Sequence, residues 1–187
     1  MKKLLIAIVL LTCLGAGWTS CNNDEQTTWD KYKDWRELNN EWLEEMQSRT
    51  NPDGTPYYKV IIPSWNPATF VLIHYFNDRA ETEGNLSPLY TSYTDTRYVL
   101  HDCNGAGLDS STNLSQTGLK GVYRSQVSAN VQGFAIGVMD MRCGDTAEFI
   151  VPYGLGYGSQ VIGTITPYSN LQFNVRLVDI PYYETIP

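Results

Sequence analysis

The stretch GLGYGSQVIGTITPYSNLQFNV, at residues 154–175, constrains the fold of this chain most strongly. Leu171, Phe173 and Val175 alternate with polar residues, and alternation with a period of two predicts a strand with one buried face. The glycine-rich loop before this strand is much longer than the roughly two to five residues that close a hairpin. We therefore expect the loop, with Tyr157 between two glycines, to cover something.

Three further strands are predicted upstream, in YYKVIIPSW, TFVLIHYFND and TSYTDTRYVLHD, where β-branched and aromatic residues lie between Pro and Gly turns. A chain of 187 residues, 42% of them apolar, can bury one sizeable core, so a second full domain is not expected. We predict that residues 57–180 form one antiparallel β-rich domain with a short helix near 134–141.

The segment at residues 29–49 has helical periodicity. Its apolar residues recur in steps of three and four and so form one stripe on a helix, namely Trp29, Tyr32, Trp35, Leu38, Trp42 and Met46. Thr27 or Thr28 can cap the start, and Asn51-Pro52 ends the helix. Such a stripe could form a homodimer face or a ligand face, for example for glycans. Packing against the helix's own domain is the preferred interpretation.

The first residues have the organisation of a bacterial export signal, with two lysines and an apolar run too short to span a bilayer. Cys21 follows Trp-Thr-Ser, a pattern that resembles the lipoprotein box, in which the signal is cut before the cysteine and a lipid is attached to its sulfur. Residues 1–20 are therefore expected to be a signal peptide and residues 21–28 a flexible tether. Lipidation at Cys13 and an ordinary signal without lipid are the alternatives.

The polar, acidic tether resembles the surface-export signals of lipoproteins in the Bacteroidetes. The expected location is the cell envelope, with the protein anchored by its lipid in the outer membrane, on the periplasmic or the surface face.

Removal of the signal leaves 11 basic against 20 acidic side chains, a net charge of about −9, which is unsuited to nucleic acid. Cys103 and Cys143 then remain in an oxidising compartment, either as a disulfide or as two small buried residues.

Conventional catalytic groups are not recognisable in this sequence. His74 and His101 lie in predicted strands without further ligands at metal-binding spacing, so we expect neither a metal nor a cofactor. The chain has no Gly-x-Ser-x-Gly motif, no P-loop and no dinucleotide-binding fingerprint. The serines of Asp109-Ser110-Ser111 have no histidine placed beside them by a recognisable motif.

One reaction needs none of these groups. Rotation about an X-Pro amide is slow, with a barrier of roughly 18–20 kcal/mol, because the C–N bond has partial double-bond character. An apolar, aromatic-lined cup destabilises the planar amide, whose charge separation water favours, and one or two hydrogen-bond donors can hold the twisted carbonyl. Such a site is built from aromatic residues and a flap.

The C-terminal half resembles the FKBP-type peptidyl-prolyl isomerases. The matching pieces are VQGFAIGVMDMRCGDTAEFIVPYGLGYGS, the following ITPYSNLQFNVRLVDI, and upstream TRYVLHDCNGAGLDSS, in the family's order and spacing. The resemblance covers about residues 88–180 and implies an α+β fold in which a half-wrapped antiparallel sheet packs around one short helix. The helix at 29–49 would be an addition to that fold.

The resemblance also implies roles for individual residues. Phe134 stands where the family usually has the tryptophan that forms the floor of the cup. Val131 would offer its backbone N–H to a ligand carbonyl, and Tyr157 its hydroxyl to a second one. Asp109 would polarise the site, and the loop through Ile165 would be the flap. The walls would be formed by Tyr98, Leu108, Tyr123, Ile165 and Phe173.

The resemblance implies a peptidyl-prolyl cis-trans isomerase, which, with the export signal, would assist the folding of exported proteins and bind proline-containing polypeptides. Tyr98, Asp109 and Tyr157 are the expected catalytic residues. Reduced activity is expected, because Phe134 and Leu108 replace the family's usual Trp and Phe. A chaperone or peptide-binding surface lipoprotein without turnover is the alternative. The expected organisation is a signal peptide, a tether, a helix with its linker at 29–56 and an FKBP-like domain at 57–187.

Overall fold

Seven antiparallel strands form one open sheet in the computed structural model, which describes residues 27–182. The strand order is β1-β2-β6-β7-β3-β4, and β5 also pairs with β3. The strands are β1 (Lys59–Ile61), β2 (Val71–Tyr75), β3 (Tyr93–His101), β4 (Gly107–Ser110), β5 (Tyr123–Gln126), β6 (Thr146–Val151) and β7 (Leu171–Asp179). The helices are α1 (Thr28–Lys31), α2 (Lys33–Ser48) and α3 (Gln132–Asp140), with 3-10 turns at Val127–Ala129 and Tyr153–Leu155. The predicted α+β fold, with an antiparallel sheet, one short helix and an extra N-terminal helix, is confirmed.

One face of the sheet carries a row of residues in register across five strands. Reading across the ladder, Ile73 on β2 pairs with Phe149 on β6, which pairs with Phe173 on β7. Phe173 in turn pairs with Leu100 on β3, which pairs with Asp109 on β4. Side chains alternate between faces along a strand, so all five lie on the same face of the sheet. The row is apolar except at its last member, and that end opens into the candidate site described below.

Helix α3 packs on this face and is buried over six consecutive residues, 133–138. A helix that is apolar on all sides must be enclosed on all sides. Gly133 and Gly137, four residues apart, share one helix face and lie directly over Val151 and Phe149 of β6. The absence of a Cβ at these two positions lets the helix approach the sheet closely.

Helix α2 packs on the opposite face of the sheet. Its Met46 joins a second apolar cluster with Tyr58, Leu72 and Ile150. The preferred interpretation, packing of this stripe on its own domain, therefore agrees with the structure, whereas the homodimer remains a prediction. Leu38 was predicted to belong to the stripe but is 41% exposed, and Asn39 is buried in its place.

The start of β6 is held by a buried carboxylate, Asp145. Its oxygens accept hydrogen bonds from the Thr82 hydroxyl at 2.6 Å and from the Asn77 amide at 3.0 Å. They also accept a bond from the Arg142 N–H at 2.8 Å, and the Arg79 guanidinium lies 3.3 Å away. This cluster ties the segment after β2 to the turn between α3 and β6.

Cys103 and Cys143 are both half-buried free thiols. This favours two small buried residues over a disulfide. Burial raises the pKa of Cys103 to about 11 and also raises that of Cys143.

The predicted signal peptide, Cys13, Cys21 and most of the tether lie outside the described residues. Within residues 27–182, no helix combines the length and apolar character of a membrane span.

Candidate functional site

A cavity of about 420 Å³ opens between the sheet and the start of α3, at the polar end of the row across the sheet. Seven of the nine residues predicted to bind or act on a substrate line it, namely Tyr98, Asp109, Tyr123, Val131, Phe134, Tyr157 and Phe173. The other two do not line the cavity: Ile165 is buried in the apolar core beside it, and Leu108 is half-buried and packs against that core. The fold thus brings together residues from β3, β4, β5, β7, α3 and the loop after β6.

The floor and inner wall of the cavity are aromatic. Phe134 on α3 and Phe173 on β7 have ring centroids 5.2 Å apart, in an edge-to-face arrangement. The Tyr98 ring lies 6.2 Å from Phe134 and 6.5 Å from Phe173. Pairs at these separations are favourable beyond the area they bury, so the three rings form a fixed apolar surface.

A tyrosine–carboxylate pair forms the polar rim. The Tyr98 hydroxyl donates a 2.7 Å hydrogen bond to Asp109, whose other oxygen accepts the Ser110 N–H at 2.7 Å. Burial and the hydrogen bond to Asp109 raise the pKa of Tyr98, so its hydroxyl stays protonated at neutral pH. Asp109 is the charged residue among the side chains that line the cavity in the described part of the chain.

Tyr157 faces this pair across the cavity. Burial, followed by the nearby negative charge of Asp109, raises the pKa of Tyr157, so this hydroxyl also stays protonated. No residue within 27–182 forms a hydrogen bond with that hydroxyl, which leaves it free to donate to a ligand.

A second donor lies at the start of α3. Val131 is the N-cap residue, and its carbonyl accepts the Ala135 N–H at 3.1 Å. In the described structure its own N–H has no backbone partner. Val131 lines the cavity together with Asn130 and Ala129, so this N–H is available to an acceptor bound there.

The long loop seen in the sequence is a folded structure rather than a free lid. Ile162 and Ile165 bond to each other through their backbones, and Gly163 between them has a positive φ of 56°, which glycine adopts at low cost. The Tyr168 N–H closes the base of the loop on the Gly158 carbonyl at 2.7 Å. Ile165 is buried in the core, so it anchors the loop instead of forming the cavity wall expected of it.

Several lining residues were not foreseen. Leu100 follows Tyr98 on the same face of β3, so the period of the strand could have identified it. Leu114 and Gln116 lie in the loop between β4 and β5, which has no periodicity to indicate them.

No group of three or more potential metal ligands exists within residues 27–182. His74 instead stacks on the Tyr57 ring at 3.8 Å.

Comparison with known proteins shows similarity to one family over part of the chain. Residues 93–178 match the model of the FKBP-type peptidyl-prolyl cis-trans isomerases. Human peptidyl-prolyl cis-trans isomerase FKBP10 is 27% identical over 135 residues, which are 69% of this chain and 22% of that protein. FK506-binding protein 3 of Yarrowia lipolytica is 35% identical over 104 residues, or 55% of this chain and 24% of that protein. The chain thus spans about a quarter of the length of these relatives.

Solved structures share the fold. The peptidyl-prolyl cis-trans isomerase of Pseudomonas syringae has a TM-score of 0.62 at 15% identity, over 80% of this chain and 95% of that one. FkpA of Escherichia coli has a TM-score of 0.61 at 18% identity, over 82% of this chain and 62% of that one. All nine predicted site residues lie within the segment that matches the family model.

Proposed function

We propose that the protein catalyses rotation about X-Pro bonds in polypeptides, because residues 93–178 match the model of the FKBP-type peptidyl-prolyl cis-trans isomerases. The observation that carries the proposal is the aromatic cavity, in which Phe134, Phe173 and Tyr98 form an apolar surface beside two available donors. A proline ring fits such a surface, and no covalent chemistry is required.

The mechanism rests on desolvation. The planar amide is the more polar form, and water stabilises it. When the prolyl ring enters the aromatic cavity, the amide loses water, and the barrier to the less polar twisted form falls. Donors already in place then stabilise the twisted carbonyl without reorganisation.

Two donors are suited to this task. The Val131 N–H and the Tyr157 hydroxyl lie on the cavity wall, and each can bond one carbonyl of the bound peptide. The Tyr98–Asp109 pair orients the third aromatic ring and places a negative charge at the rim. Because Phe134 offers a smaller floor than an indole, we expect turnover below that of a tryptophan-containing site.

Exchange NMR on a short X-Pro peptide tests the proposal. Wild type is expected to speed cis-trans exchange above the buffer rate. Tyr157→Phe removes one hydrogen bond and should lower kcat/KM about fivefold, whereas Asp109→Ala leaves the Tyr98 hydroxyl unpaired and should lower it about tenfold. Tyr153→Phe is the matched control, because that tyrosine lies in the same loop but does not line the cavity.

Two results would contradict the proposal. If cis-trans exchange of the peptide is no faster with the protein than in buffer, the alternative function, a chaperone or peptide-binding module, is favoured. Equal activity of wild type, Tyr157→Phe and Asp109→Ala would place the active site elsewhere.

The N-terminal sequence supports a further proposal, that the protein is anchored in the cell envelope through a lipid on Cys21 and acts on exported polypeptides. One acyl chain binds membranes only weakly, but the several chains of a lipoprotein hold it firmly. We expect Cys21→Ser to abolish lipid labelling and membrane fractionation, with Cys13→Ser as the matched control. Normal fractionation of Cys21→Ser would refute the anchor.

A further inference from the structure

Helix α2 is connected to the loop that carries Tyr157. We propose that Asn39 of this helix is a positioning residue for the peptide site and acts through Asn170 on residues 152–158. The inference rests on the proposed function, because it assigns Tyr157 a role in binding the peptide. Asn39 lies outside the segment that matches the family model, so the N-terminal addition supplies part of the support for the site.

The first step of the connection is a pair of hydrogen bonds between two asparagines. The Asn170 N–H donates to Asn39 Oδ1 at 2.7 Å, and the Asn170 side-chain amide donates to the Asn39 carbonyl at 2.7 Å. Asn39 in turn donates its side-chain amide to the Trp35 carbonyl at 2.8 Å. Both asparagines are fully buried, so a lost bond here leaves a polar group that water cannot reach.

The second step leads from Asn170 to Tyr157. The Tyr153 N–H donates to Asn170 Oδ1 at 2.8 Å. The Tyr153 carbonyl then accepts the N–H groups of Gly156 at 3.1 Å and Gly158 at 3.0 Å. These glycines flank Tyr157 on either side, so the backbone around the catalytic hydroxyl is fixed by a residue that Asn170 holds.

A second connection joins the same helix to the other end of the loop. The Trp35 indole N–H donates to Ser169 Oγ at 3.1 Å, and that hydroxyl donates to the Thr166 carbonyl at 2.7 Å. Tyr168, the residue before Ser169, closes the loop on Gly158. Helix α2 therefore holds both ends of the segment that runs from Tyr153 to Ser169.

Such a connection matters because donors that stabilise a transition state act only when they are placed accurately. A displacement of about 1 Å can cost up to a hundredfold in rate. The glycines on both sides of Tyr157 do not restrict its backbone by themselves, so its placement depends on the hydrogen bonds to Tyr153 and on the contact that holds Tyr153 to Asn170. The Asn39–Asn170 pair is the buried polar contact that provides it.

The test compares Asn39→Ala with Met46→Ala. Met46 lies on the same helix and is buried, but it packs on Tyr58, Leu72 and Ile150 and not on the loop. Asn39→Ala is expected to lower kcat/KM for a short X-Pro peptide about fivefold, as Tyr157→Phe does. Met46→Ala should lower stability but not kcat/KM, and the exposed Asn40→Ala should change neither.

A double-mutant cycle separates positioning from general support. If Asn39 acts through the Tyr157 hydroxyl, then Asn39→Ala has little further effect in a Tyr157→Phe background. Additive losses, or an equal loss of kcat/KM in Met46→Ala, would overturn the inference. If Asn39→Ala does not fold, Asn39→Ser, which removes the acceptor of the Asn170 N–H but keeps a polar side chain, is measured in its place.

A readout independent of catalysis distinguishes this inference from the proposed function. The amide NMR signals of Gly156 and Gly158 should shift or broaden in Asn39→Ala and stay unchanged in Met46→Ala. If wild type does not accelerate exchange but the glycine signals respond, the proposed function fails and the connection stands. If these signals are unaffected, the connection itself is refuted.

Discussion

Replacement of Gly133 by alanine is expected to lower the free energy of unfolding by about 3 kcal/mol, at the upper end for an overpacked core. A Cβ at this position would lie 2.1 Å from Val151 Cγ1 and 2.9 Å from Val151 Cγ2, far inside van der Waals contact. Val151 is fully buried and β-branched, so it cannot rotate away. The gain of about 1 kcal/mol that alanine brings to a helix interior is smaller than this clash.

Chemical denaturation of Gly133→Ala, Val151→Ala, their double variant and Gly154→Ala measures the effect. Gly154→Ala is the control, because nothing lies within 4 Å of a Cβ built there, and it should stay within about 0.5 kcal/mol of wild type. In the double variant Gly133→Ala/Val151→Ala the new methyl group occupies the space that valine leaves. We expect it to be more stable than the sum of the single changes predicts. Additive effects would mean that the helix does not rest on Val151.

Asp145→Ala is expected to destabilise the protein by about 3 kcal/mol, because it removes a fully buried carboxylate that accepts three hydrogen bonds and faces the partly exposed Arg79. The change removes an acceptor from the Thr82 hydroxyl, the Asn77 amide and the Arg142 N–H. Arg79 keeps Asp140 as a neighbour, 3.9 Å away, so its charge is only partly compensated. Thr82→Val removes a single donor and should cost far less, which makes it the comparison variant.

The same carboxylate predicts a pH dependence. Burial alone would raise the pKa of Asp145, but hydrogen bonds from Thr82, Arg142 and Asn77 and the charge of Arg79 hold it below its usual value. The folded state therefore favours the ionised form, and this stabilisation is complete above the unfolded pKa of about 4. It is lost as the pH falls below that value through the lower folded pKa. Asp145→Asn should flatten the fall in unfolding free energy between about pH 5 and pH 2, and an unchanged slope would contradict this.

Alternation along the strands predicted much of the fold. Leu171, Phe173 and Val175 face the core as the period of two required. The helix stripe was less accurate, because Leu38 is exposed while Asn39, a polar residue, is buried. A pattern based on hydrophobicity alone excludes asparagine from a buried face. Here the burial is stabilised by hydrogen bonds to a residue 131 positions away, which no local pattern contains.

The residues of the candidate site were also predicted in large part from the sequence. The motif spacing assembled seven residues that line one cavity, from Tyr98 to Phe173. It also assigned cavity walls to Ile165, which is buried in the core instead, and to Leu108, which packs against the core. Spacing shows that a residue lies near a site, but the direction of its side chain depends on the local backbone. For Ile165 that is the tight turn at Gly163.

The position of β7 determines the order in which this chain can fold. It is the last of the described strands, yet it lies in the middle of the sheet, between β6 and β3. Until it arrives, β3 and β6 each present an unpaired edge, and such edges attract other chains. Helix α2, made first, cannot form its bonds to Asn170 until the same moment. During synthesis from the N-terminus, most of the chain must therefore wait in an aggregation-prone state, and folding is completed in one late, cooperative step.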